Sequence, residues 1–585
     1  MGDTRNTIAP TEIQPTIISN DKQRRLKIAL WLLAIVLGVF HAWSNHHYLG
    51  SADAMSYLDI AEAYLRRDWH LAFNAYWSPL YSWVIALVLL VARPSPYWKF
   101  AVLHLVNFGI YLFALGSFSF LMREMMRAHR IQSSEQLSAG VVMPPDWALL
   151  LLGYSLFIWS SLFLITIPLE SPDMLVAAFI YLACAIVMRI RRQPFKWGWF
   201  ICLGITLGAG FLAKSVMLPL TPVFLIASMF AIGSLRRALP RVLLTLAFFV
   251  LVAGPFVFAL SRTKGYFTAG QTGRLNYLWS INSVSNSHWQ GIEPNSGTPV
   301  HAPRKIFEAP AAFEFAEPVG GTYPVWYDPT YWYEGSVSRF DFRGQLRVVA
   351  KAVGSYYELF QAWGIQYGLA VAVISFYLIG HRGRQLIQDW GGQWPLLLPA
   401  LAGFGMYALV NVQGRYVAPF LVLLWLALFA AVRLRATSES EAFMKVVMIV
   451  LAGSIILTTV ASSNREAILT VRHLVRGEDP LAHEQWQVSE GLREMGLTAN
   501  DKVAFIGHST RAFWAHLLNV RIVADIRTDN ISDFWTADPN LRSQVIDAFA
   551  NTGVKAVVAE KPLAGTDLTN WRKIRKTDYY VVILR

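Results

Sequence analysis

The sequence predicts a mainly α-helical, polytopic membrane protein with a small α/β domain towards its C-terminal end. Apolar residues make up 55% of the 585-residue chain and charged residues only 15%, and charge-free apolar runs recur along most of it. A soluble domain usually carries about 25% charged residues. This composition excludes a purely soluble enzyme, a disordered protein and a fibrous protein.

The apolar runs are the predicted transmembrane helices. A span needs roughly 20 apolar residues, and it must be helical because the hydrocarbon offers its backbone no hydrogen-bond partners. Two shorter runs, 79–92 and 174–188, become spans if flanking residues join them. With them we expect about 11–13 spans. The longer runs are 28–43, 100–122, 147–169, 197–213, 215–235, 242–260, 359–379, 394–414, 416–432 and 446–463.

Lys and Arg predict the orientation, because short loops rich in these residues stay in the cytoplasm. The net charge is +13, and much of it lies in clusters at 22–27, 189–196, 236–241, 382–384 and 433–435. This pattern predicts a multi-pass membrane protein with a cytoplasmic N-terminus. The basic stretch after the run 100–122 also has a cytoplasmic composition. Either one of the runs 79–92 and 100–122 is therefore a partial or re-entrant element, or one of the predicted boundaries is wrong.

These assignments divide the chain into three parts. Residues 1–25 are a predicted disordered cytoplasmic segment, residues 26–463 the transmembrane domain, and residues 464–585 a periplasmic domain. The transmembrane domain includes two periplasmic loops, 44–78 and 261–358. In the last part, short strands near 502–506, 520–525, 554–559 and 579–584 alternate with helices near 483–495, 511–518 and 541–552, which is typical of an α/β layer.

Two acidic clusters lie at predicted outer ends of spans. In the first loop, Asp53 and Tyr57 share one face of a predicted helix, and Asp59 lies on another. The second cluster holds Glu170 and Asp173. A carboxylate can take a proton from a hydroxyl nucleophile, and a pair of carboxylates can hold a divalent cation. The alternative is that these acids are solvated or cap the helices that follow them.

Two isolated cations lie at the same predicted side. Lys214 is the only charge between positions 197 and 235, and Arg415 is the only charge between 394 and 432. Each can extend to the lipid headgroups, or it can bind an anion, for which the Arg fork suits a phosphate. Acids and cations on one side indicate a substrate that has both a phosphate and a reacting hydroxyl.

The loop 261–358 is rich in Trp and Tyr, and it carries the candidate substrate-binding pair Tyr327 and Asp328. Aromatic rings anchor proteins at a membrane interface, and their faces can also stack on a sugar. We expect anchoring for most of these rings and sugar contact for one or two.

Five motifs in order resemble a known family over roughly residues 20–460. They are Ser51-Ala-Asp53…Tyr57-Leu-Asp59, Trp77-Ser-Pro79-Leu80-Tyr81, Glu170-Ser-Pro-Asp173, Gly210-Phe-Leu-Ala-Lys214 and Gly414-Arg415-Tyr416. The order is similar to that of the GT-C membrane glycosyltransferases, in the group of protein O-mannosyltransferases and lipid A aminoarabinose transferases. The resemblance implies a GT-C-like fold for the transmembrane domain.

The resemblance also implies an activity. Family members move a monosaccharide from a polyprenyl-phosphate carrier to an acceptor hydroxyl, here on a glycolipid, glycan or protein at the periplasmic face, with no nucleic-acid partner. The family's catalytic acids map to Asp53 and Asp173, with Glu170 beside the latter. Lys214 and Arg415 would hold the donor phosphate. Ala54 follows Asp53 where the family often has a second acid, which leaves open whether Asp59 shares the role and whether Mg²⁺ or Mn²⁺ binds.

Two other classes of function remain as alternatives. A transporter or flippase of a lipid-linked sugar would place ionisable residues in the middle of spans and would show repeated halves, whereas these spans are nearly free of charge. A non-catalytic scaffold that presents the C-terminal domain would not need the two acidic clusters and Arg415 to converge.

Overall fold

The computed structural model describes residues 20–138, 140–315, 317–361, 364–380, 383–476, 484–563 and 565–584. Of the predicted disordered segment 1–25, residues 1–19 lie outside the described residues and 20–25 belong to the first helix. The first half of the chain is almost entirely helical, and a π-helical segment, Ser160–Ile165, follows α6. Its elements are α1 (Asn20–Ser44), α2 (Ala54–Arg66), α3 (Trp69–Ala72), α4 (Pro79–Ala92), α5 (Lys99–Ser138), β1 (Val141–Val142), α6 (Asp146–Trp159), α7 (Asp173–Arg192), α8 (Gly198–Ala213), α9 (Met217–Ile232) and α10 (Leu235–Lys264).

The second half alternates short elements with long helices. Between α10 and the next apolar helices lie α11 (Thr272–Ser280), β2 (Arg304–Phe307), β3 (Ala312–Glu314), α12 (Pro324–Tyr327), α13 (Pro329–Trp332) and α14 (Phe342–Gln361). Then follow α15 (Ile365–Gly380), α16 (Gly383–Gly392), α17 (Trp394–Ala408), α18 (Gly414–Ala430), β4 (Leu434–Arg435) and α19 (Ser438–Arg476). The C-terminal part holds α20 (Glu484–Glu494), β5 (Lys502–Ile506), α21 (Phe513–Leu518), β6 (Arg521–Ile526), α22 (Ile531–Thr536), α23 (Pro539–Ala550), β7 (Ala556–Glu560), β8 (Arg572–Lys573) and β9 (Tyr579–Ile583).

Each predicted apolar run is mostly helical in the described residues, but the run 359–379 falls on two helices, α14 and α15, that lie at 87° to each other. Within the described residues, six helical stretches are long and apolar enough to cross a membrane, or seven if the bent pair α14–α15 forms one span. Five further apolar helices, α4, α8, α9, α17 and α18, have 10–17 residues. The fold is therefore a polytopic helix bundle with a smaller mixed sheet, as the sequence predicts.

Three of the predicted cytoplasmic basic clusters, 22–27, 189–196 and 433–435, meet on one side of the bundle. Glu124 of α5 is buried and accepts from Arg127 at 2.8 Å, Arg189 at 3.1 Å and Arg192 at 3.2 Å. Arg130 donates to Gln23 at the start of α1. Antiparallel pairing of β1 with β4 brings the chain near residues 141 and 435 to the same side. These three clusters thus define one side of the molecule, the basic side.

Helix α4 resolves the conflict between the two predicted runs 79–92 and 100–122. Its 14 residues fall short of a span. Just before it, Trp77 donates its indole N–H to the backbone oxygens of Trp326 and Tyr327 in the loop 261–358. Just after it, Tyr97 contacts the ring of Trp486 in the C-terminal part. Both ends of α4 therefore lie on the side of the sheet, and only α5 runs to the basic side.

The C-terminal strands form the predicted α/β layer, but the sheet also recruits the loop 261–358. Its strand order is β2-β3-β6-β5-β7-β9-β8, with β5 parallel to both β6 and β7 and the remaining pairs antiparallel. Residue Phe313 of β3 is paired with Asp525 of β6. One continuous hydrophobic core joins the membrane helices to one face of this sheet, and a smaller core covers the other face. The sheet is thereby fixed on the bundle.

Candidate active site

Asp173, Lys214 and Arg415 form the centre of the candidate site. The Lys214 ammonium lies 2.5 Å from one carboxylate oxygen of Asp173, and Nε of Arg415 lies 3.5 Å from the other. The Asp173 side chain is 3% exposed, whereas those of Lys214 and Arg415 are 23% and 19% exposed. The carboxylate therefore lies beneath the two cations, which still reach solvent.

Local helix geometry explains why these residues converge. Asp173 is the first residue of α7, where the helix dipole favours a negative charge, and Ser171 donates to its carboxylate. Lys214 follows the last residue of α8, where the dipole favours a positive charge. Arg415 lies in the first turn of α18. In the part of the chain that the structure describes, no side chain caps the start of α7 through a hydrogen bond, so the structure gives Asp173 the contact with the cations and not the alternative capping role.

Tyr416 provides a shared aromatic surface for both cations. The Lys214 ammonium lies 4.1 Å from the centre of its ring, and the Arg415 guanidinium carbon lies 4.9 Å from it. Arg415 also donates to the Tyr416 hydroxyl at 3.1 Å. Cation–π contacts of this kind hold two positive charges close together without neutralising them.

Asp53 completes the cluster from the first loop. Burial raises the pKa of the Asp53 carboxyl, while the positive charges of Arg415 and Lys214 act against that rise and Asp173 adds to it. The indole N–H of Trp326 donates to Asp53 at 3.3 Å. A non-catalytic scaffold would not need Asp53, Asp173 and Arg415 together, and the structure brings them into electrostatic contact.

Tyr57 lies one helical turn after Asp53, as predicted, but it is packed among aromatic rings. Its ring is 5.1 Å from that of Trp77 and 5.0 Å from that of Tyr81, both edge-on, and it is 4% exposed. Its hydroxyl is close enough to Asp53 and Asp173 for their charges to raise the pKa of Tyr57 further, beyond the larger effect of burial. Tyr57 therefore forms part of the wall behind the two acids.

Glu170 holds the first loop in place. Its carboxyl accepts the backbone N–H groups of Gly50 and Ser51, each at 3.1 Å, and it is fully buried. Burial raises the pKa of Glu170 to about 8, and the two amides only partly oppose that effect. The group is therefore largely uncharged at neutral pH. It lies behind the loop that carries Asp53.

Asp59 belongs to a different cluster, which joins α2 to the C-terminal part. It accepts from the backbone N–H of Thr322 at 2.7 Å and from its hydroxyl at 2.9 Å, and Nδ1 of His516 is 2.9 Å away. Glu62, on the same face of α2, lies 2.8 Å from Lys99 and 3.5 Å from His516. Asp59 thus ties α2 to the C-terminal part. The substrate contact predicted for it stays a prediction.

Tyr327 and Asp328 line a separate cavity of about 410 Å³ on the side of the sheet. The Tyr327 hydroxyl donates to the backbone of Leu71, and its carbonyl accepts from the side chain of Asn74. Asp328 pairs with Lys264 at 2.6 Å and accepts from the backbone N–H of Thr330. These two residues and Asp53 are linked through Trp326, which precedes Tyr327 and contacts Asp53.

The predicted divalent-cation site finds few ligands. Among the residues that the structure describes, no group of three or more His, Cys, Asp or Glu side chains is placed to hold a metal ion. Asp173 faces two cations at short distance, which leaves Asp53 as a single carboxylate for Mg²⁺ or Mn²⁺. The arrangement does not fit a protein-held metal, and the mechanism proposed below uses none.

Sequence reasoning missed Trp326 as a partner of Asp53, and His516 and Thr322 as partners of Asp59. His516 and Asp59 are 457 positions apart, and no local pattern indicates such a contact. The role of Tyr416, in contrast, could have been predicted from the sequence. It directly follows the isolated cation Arg415 in the motif Gly414-Arg415-Tyr416, and an aromatic ring beside a cation indicates a cation–π contact.

No protein-family model and no curated protein matches the sequence, but solved structures share its fold. ArnT from Cupriavidus metallidurans in the apo state is 12% identical, with a TM-score of 0.52 over 96% of this chain and 98% of ArnT. The same protein bound to undecaprenyl phosphate gives 12% identity and a TM-score of 0.50 over 95% and 97% of the two chains.

A second neighbour is the oligosaccharyltransferase of Archaeoglobus fulgidus tethered with an acceptor peptide. It is 12% identical, with a TM-score of 0.50 over 93% of this chain and 69% of that one. Both neighbours are GT-C glycosyltransferases, and the likeness covers most of the chain. The chain therefore has the fold of the GT-C membrane glycosyltransferases.

Proposed function

We propose that this protein is a membrane glycosyltransferase that moves a monosaccharide from a polyprenyl-phosphate carrier to an acceptor hydroxyl on a glycolipid, glycan or protein. The observation that carries the proposal is the pair of half-buried cations, Lys214 and Arg415, held over the buried Asp173 next to Asp53. ArnT, which shares the fold, has been captured with undecaprenyl phosphate. We expect the site to face the periplasm of a bacterial inner membrane.

In the proposed mechanism the cations bind the donor phosphate. Lys214 keeps N–H donors beyond the one used for Asp173, and Arg415 can form a fork to a phosphate. Asp173 acts as a positioning residue, because its carboxylate contacts both cations and fixes where they point. Glu170 positions the first loop, and with it Asp53, through the amides of Gly50 and Ser51.

Asp53 then accepts the proton of the acceptor hydroxyl. The hydroxyl oxygen forms a bond to the anomeric carbon, the bond from that carbon to the phosphate oxygen breaks, and its electron pair stays on the leaving polyprenyl phosphate. The raised pKa of Asp53 makes it a better proton acceptor. No redox partner is needed.

Charge balance favours this arrangement. Before transfer, Asp53 and Asp173 balance Lys214 and Arg415, and the donor phosphodiester carries one negative charge. After transfer, Asp53 is neutral, so the four groups carry one positive charge just as the phosphate gains its second negative charge. Fixed cations in a site that contains little water stabilise that developing charge without rearrangement.

The test is mass spectrometry of envelope glycolipids, glycans and glycoproteins from a deletion strain complemented with the wild type, with Asp53→Asn, or with Glu308→Gln as a matched control on an exposed acid. We expect one sugar to be missing in the deletion strain, restored by the wild type and Glu308→Gln, and absent with Asp53→Asn. Envelopes that are identical with and without the gene, or full restoration by Asp53→Asn, would contradict the proposal.

A further inference from the structure

The cavity next to Tyr327 and Asp328 lies outside the cluster of Lys214 and Arg415. It borders the loop 261–358, which also contacts the cluster through Trp326 and Asp53. Its volume is about 410 Å³, within the range of roughly 300–1,000 Å³ that small-molecule sites occupy. It opens between the end of α10, the start of α11, residues 70–71 and residues 318–335. It is thus formed by three outer segments that are distant in sequence.

The side chains that line this cavity include both hydrogen-bond donors and acceptors. Lys264 is paired with Asp328, and Arg274 donates to Gln271 at 2.8 Å and to the backbone oxygen of Ser336 at 2.8 Å. The cations are therefore already engaged with acceptors of the protein. The lining holds two Lys or Arg side chains and two Asp or Glu side chains, so it carries no net charge, which favours a neutral ligand.

Aromatic surface accompanies the polar groups. Tyr331 stacks flat on His301, with ring centres 4.1 Å apart, and Tyr266 is 48% exposed and hydrogen-bonded to Gln271. The Glu334 carboxylate, 56% exposed, lies 3.0 Å from His301. Aromatic faces beside mixed donors and acceptors match a ring that has an apolar face and hydroxyl groups at its rim, because each hydroxyl both donates and accepts.

Resting on the proposed function, we propose that this cavity is a saccharide-binding subsite that holds a neutral sugar of the acceptor. The connection to the active site is short: Tyr327 lines the cavity, and the preceding residue, Trp326, donates to Asp53. Trp77 also donates to the backbone oxygens of both residues, which fixes this wall. A sugar held here leaves the rest of the acceptor free to present a hydroxyl to Asp53.

The test is saturation-transfer NMR on the purified full chain with a mixture of maltose, lactose and cellobiose, and separately with glucuronic acid. We expect the NMR saturation to pass from the protein to the bound neutral disaccharides, with equal signals for the wild type and Asp53→Asn. Binding should weaken about tenfold in Tyr331→Ala and in Glu334→Gln, a change of one or two contacts. The second variant alters only an exposed side chain, so a folding defect in the first leaves the test intact.

The result separates this inference from the proposed function. Three results would overturn the subsite. They are no saturation transfer to any neutral disaccharide, equal disaccharide binding by the wild type, Tyr331→Ala and Glu334→Gln, and stronger binding of glucuronic acid than of the disaccharides. Undecaprenyl phosphate binding, measured on the same samples, reports on the donor site alone. Disaccharide binding without lipid-phosphate binding would count against the proposed function and leave the saccharide-binding cavity standing.

Discussion

Asp173 and Lys214 form the tightest contact of the candidate site, with 2.5 Å between carboxylate oxygen and ammonium nitrogen. The first begins α7 and the second directly follows α8, so the ends of two neighbouring helices hold opposite charges against each other. Because Asp173 is buried and also meets Arg415, it determines the position of both cations. The catalytic and the structural consequences of this contact can be separated by experiment.

Asp173→Asn is expected to reduce both stability and sugar transfer. Because Lys214 and Arg415 still reach solvent, the cost is that of lost charge-assisted hydrogen bonds, about 1.5–3 kcal/mol. Thermal unfolding of the purified chain, followed together with transfer in a complemented strain, checks this. Unchanged unfolding with full transfer would show that Asp173 does not hold the cations.

Asp53→Asn is expected to leave the unfolding temperature close to that of the wild type while transfer falls roughly 100- to 10,000-fold, the usual contribution of a general base. The reason is that, among the described residues, the Asp53 carboxyl accepts one hydrogen bond, from Trp326, and the amide oxygen of Asn can accept it as well. Glu308→Gln serves as the control. A loss of stability as large as that of Asp173→Asn would indicate a structural role instead.

Glu170 should tolerate Gln but not Ala. The pKa of Glu170 is raised to about 8, so the group is mostly neutral at pH 7, and Gln keeps the oxygen that accepts from Gly50 and Ser51. Ala leaves two buried amides unpaired, at about 1–3 kcal/mol each. Thermal unfolding distinguishes the variants. If Glu170→Gln abolishes transfer without changing stability, Glu170 takes part in proton transfer.

The contact between α2 and the C-terminal part should weaken as the pH rises. Burial and Lys99 lower the pKa of His516, but Glu62 and Asp59 outweigh them, so its net shift is upward. The stabilisation that this shift represents is complete below about pH 6.5, the ordinary value for His, and is lost as the pH rises through the higher folded-state pKa. Unfolding temperatures of the wild type should fall over this range.

The matched variant for that prediction is His516→Gln, which keeps a hydrogen-bond donor near Asp59 but cannot titrate. We expect its unfolding temperature to change less between pH 6 and pH 9 than that of the wild type. An identical pH dependence in the two proteins would assign the effect to other groups.

The four charged residues of the candidate site could be picked out in the sequence because they lie within or at the ends of apolar stretches. Lys214 and Arg415 are single charges in long apolar stretches, and a charge in such a place is costly unless a partner or solvent compensates it. Asp53 and Asp173 follow the same logic at the ends of apolar runs. Their convergence could be expected, whereas the direct contact of Asp173 with both cations could not.

Other features depend on packing between distant segments. Asp59, like Asp53, is an acidic residue in the first loop, and the local sequence does not distinguish their roles. The C-terminal part places His516 next to Asp59, and this contact shows that Asp59 belongs to another cluster. The strands β2 and β3 are three or four residues long and lie in a loop rich in Gly and Pro, so their pairing with β6 leaves little local signal. Helix α4 has the composition of a span but not the length.

The most direct test of the central claim is binding of undecaprenyl phosphate to the purified full chain, measured by native mass spectrometry. Lys214→Met and Arg415→Gln each remove charge-assisted hydrogen bonds to the phosphate and should weaken binding about tenfold or more. Arg347→Gln, an exposed cation that contacts Ser283, is the control and should bind like the wild type. Equal affinity in all four proteins would contradict the claim that Lys214 and Arg415 hold the donor phosphate.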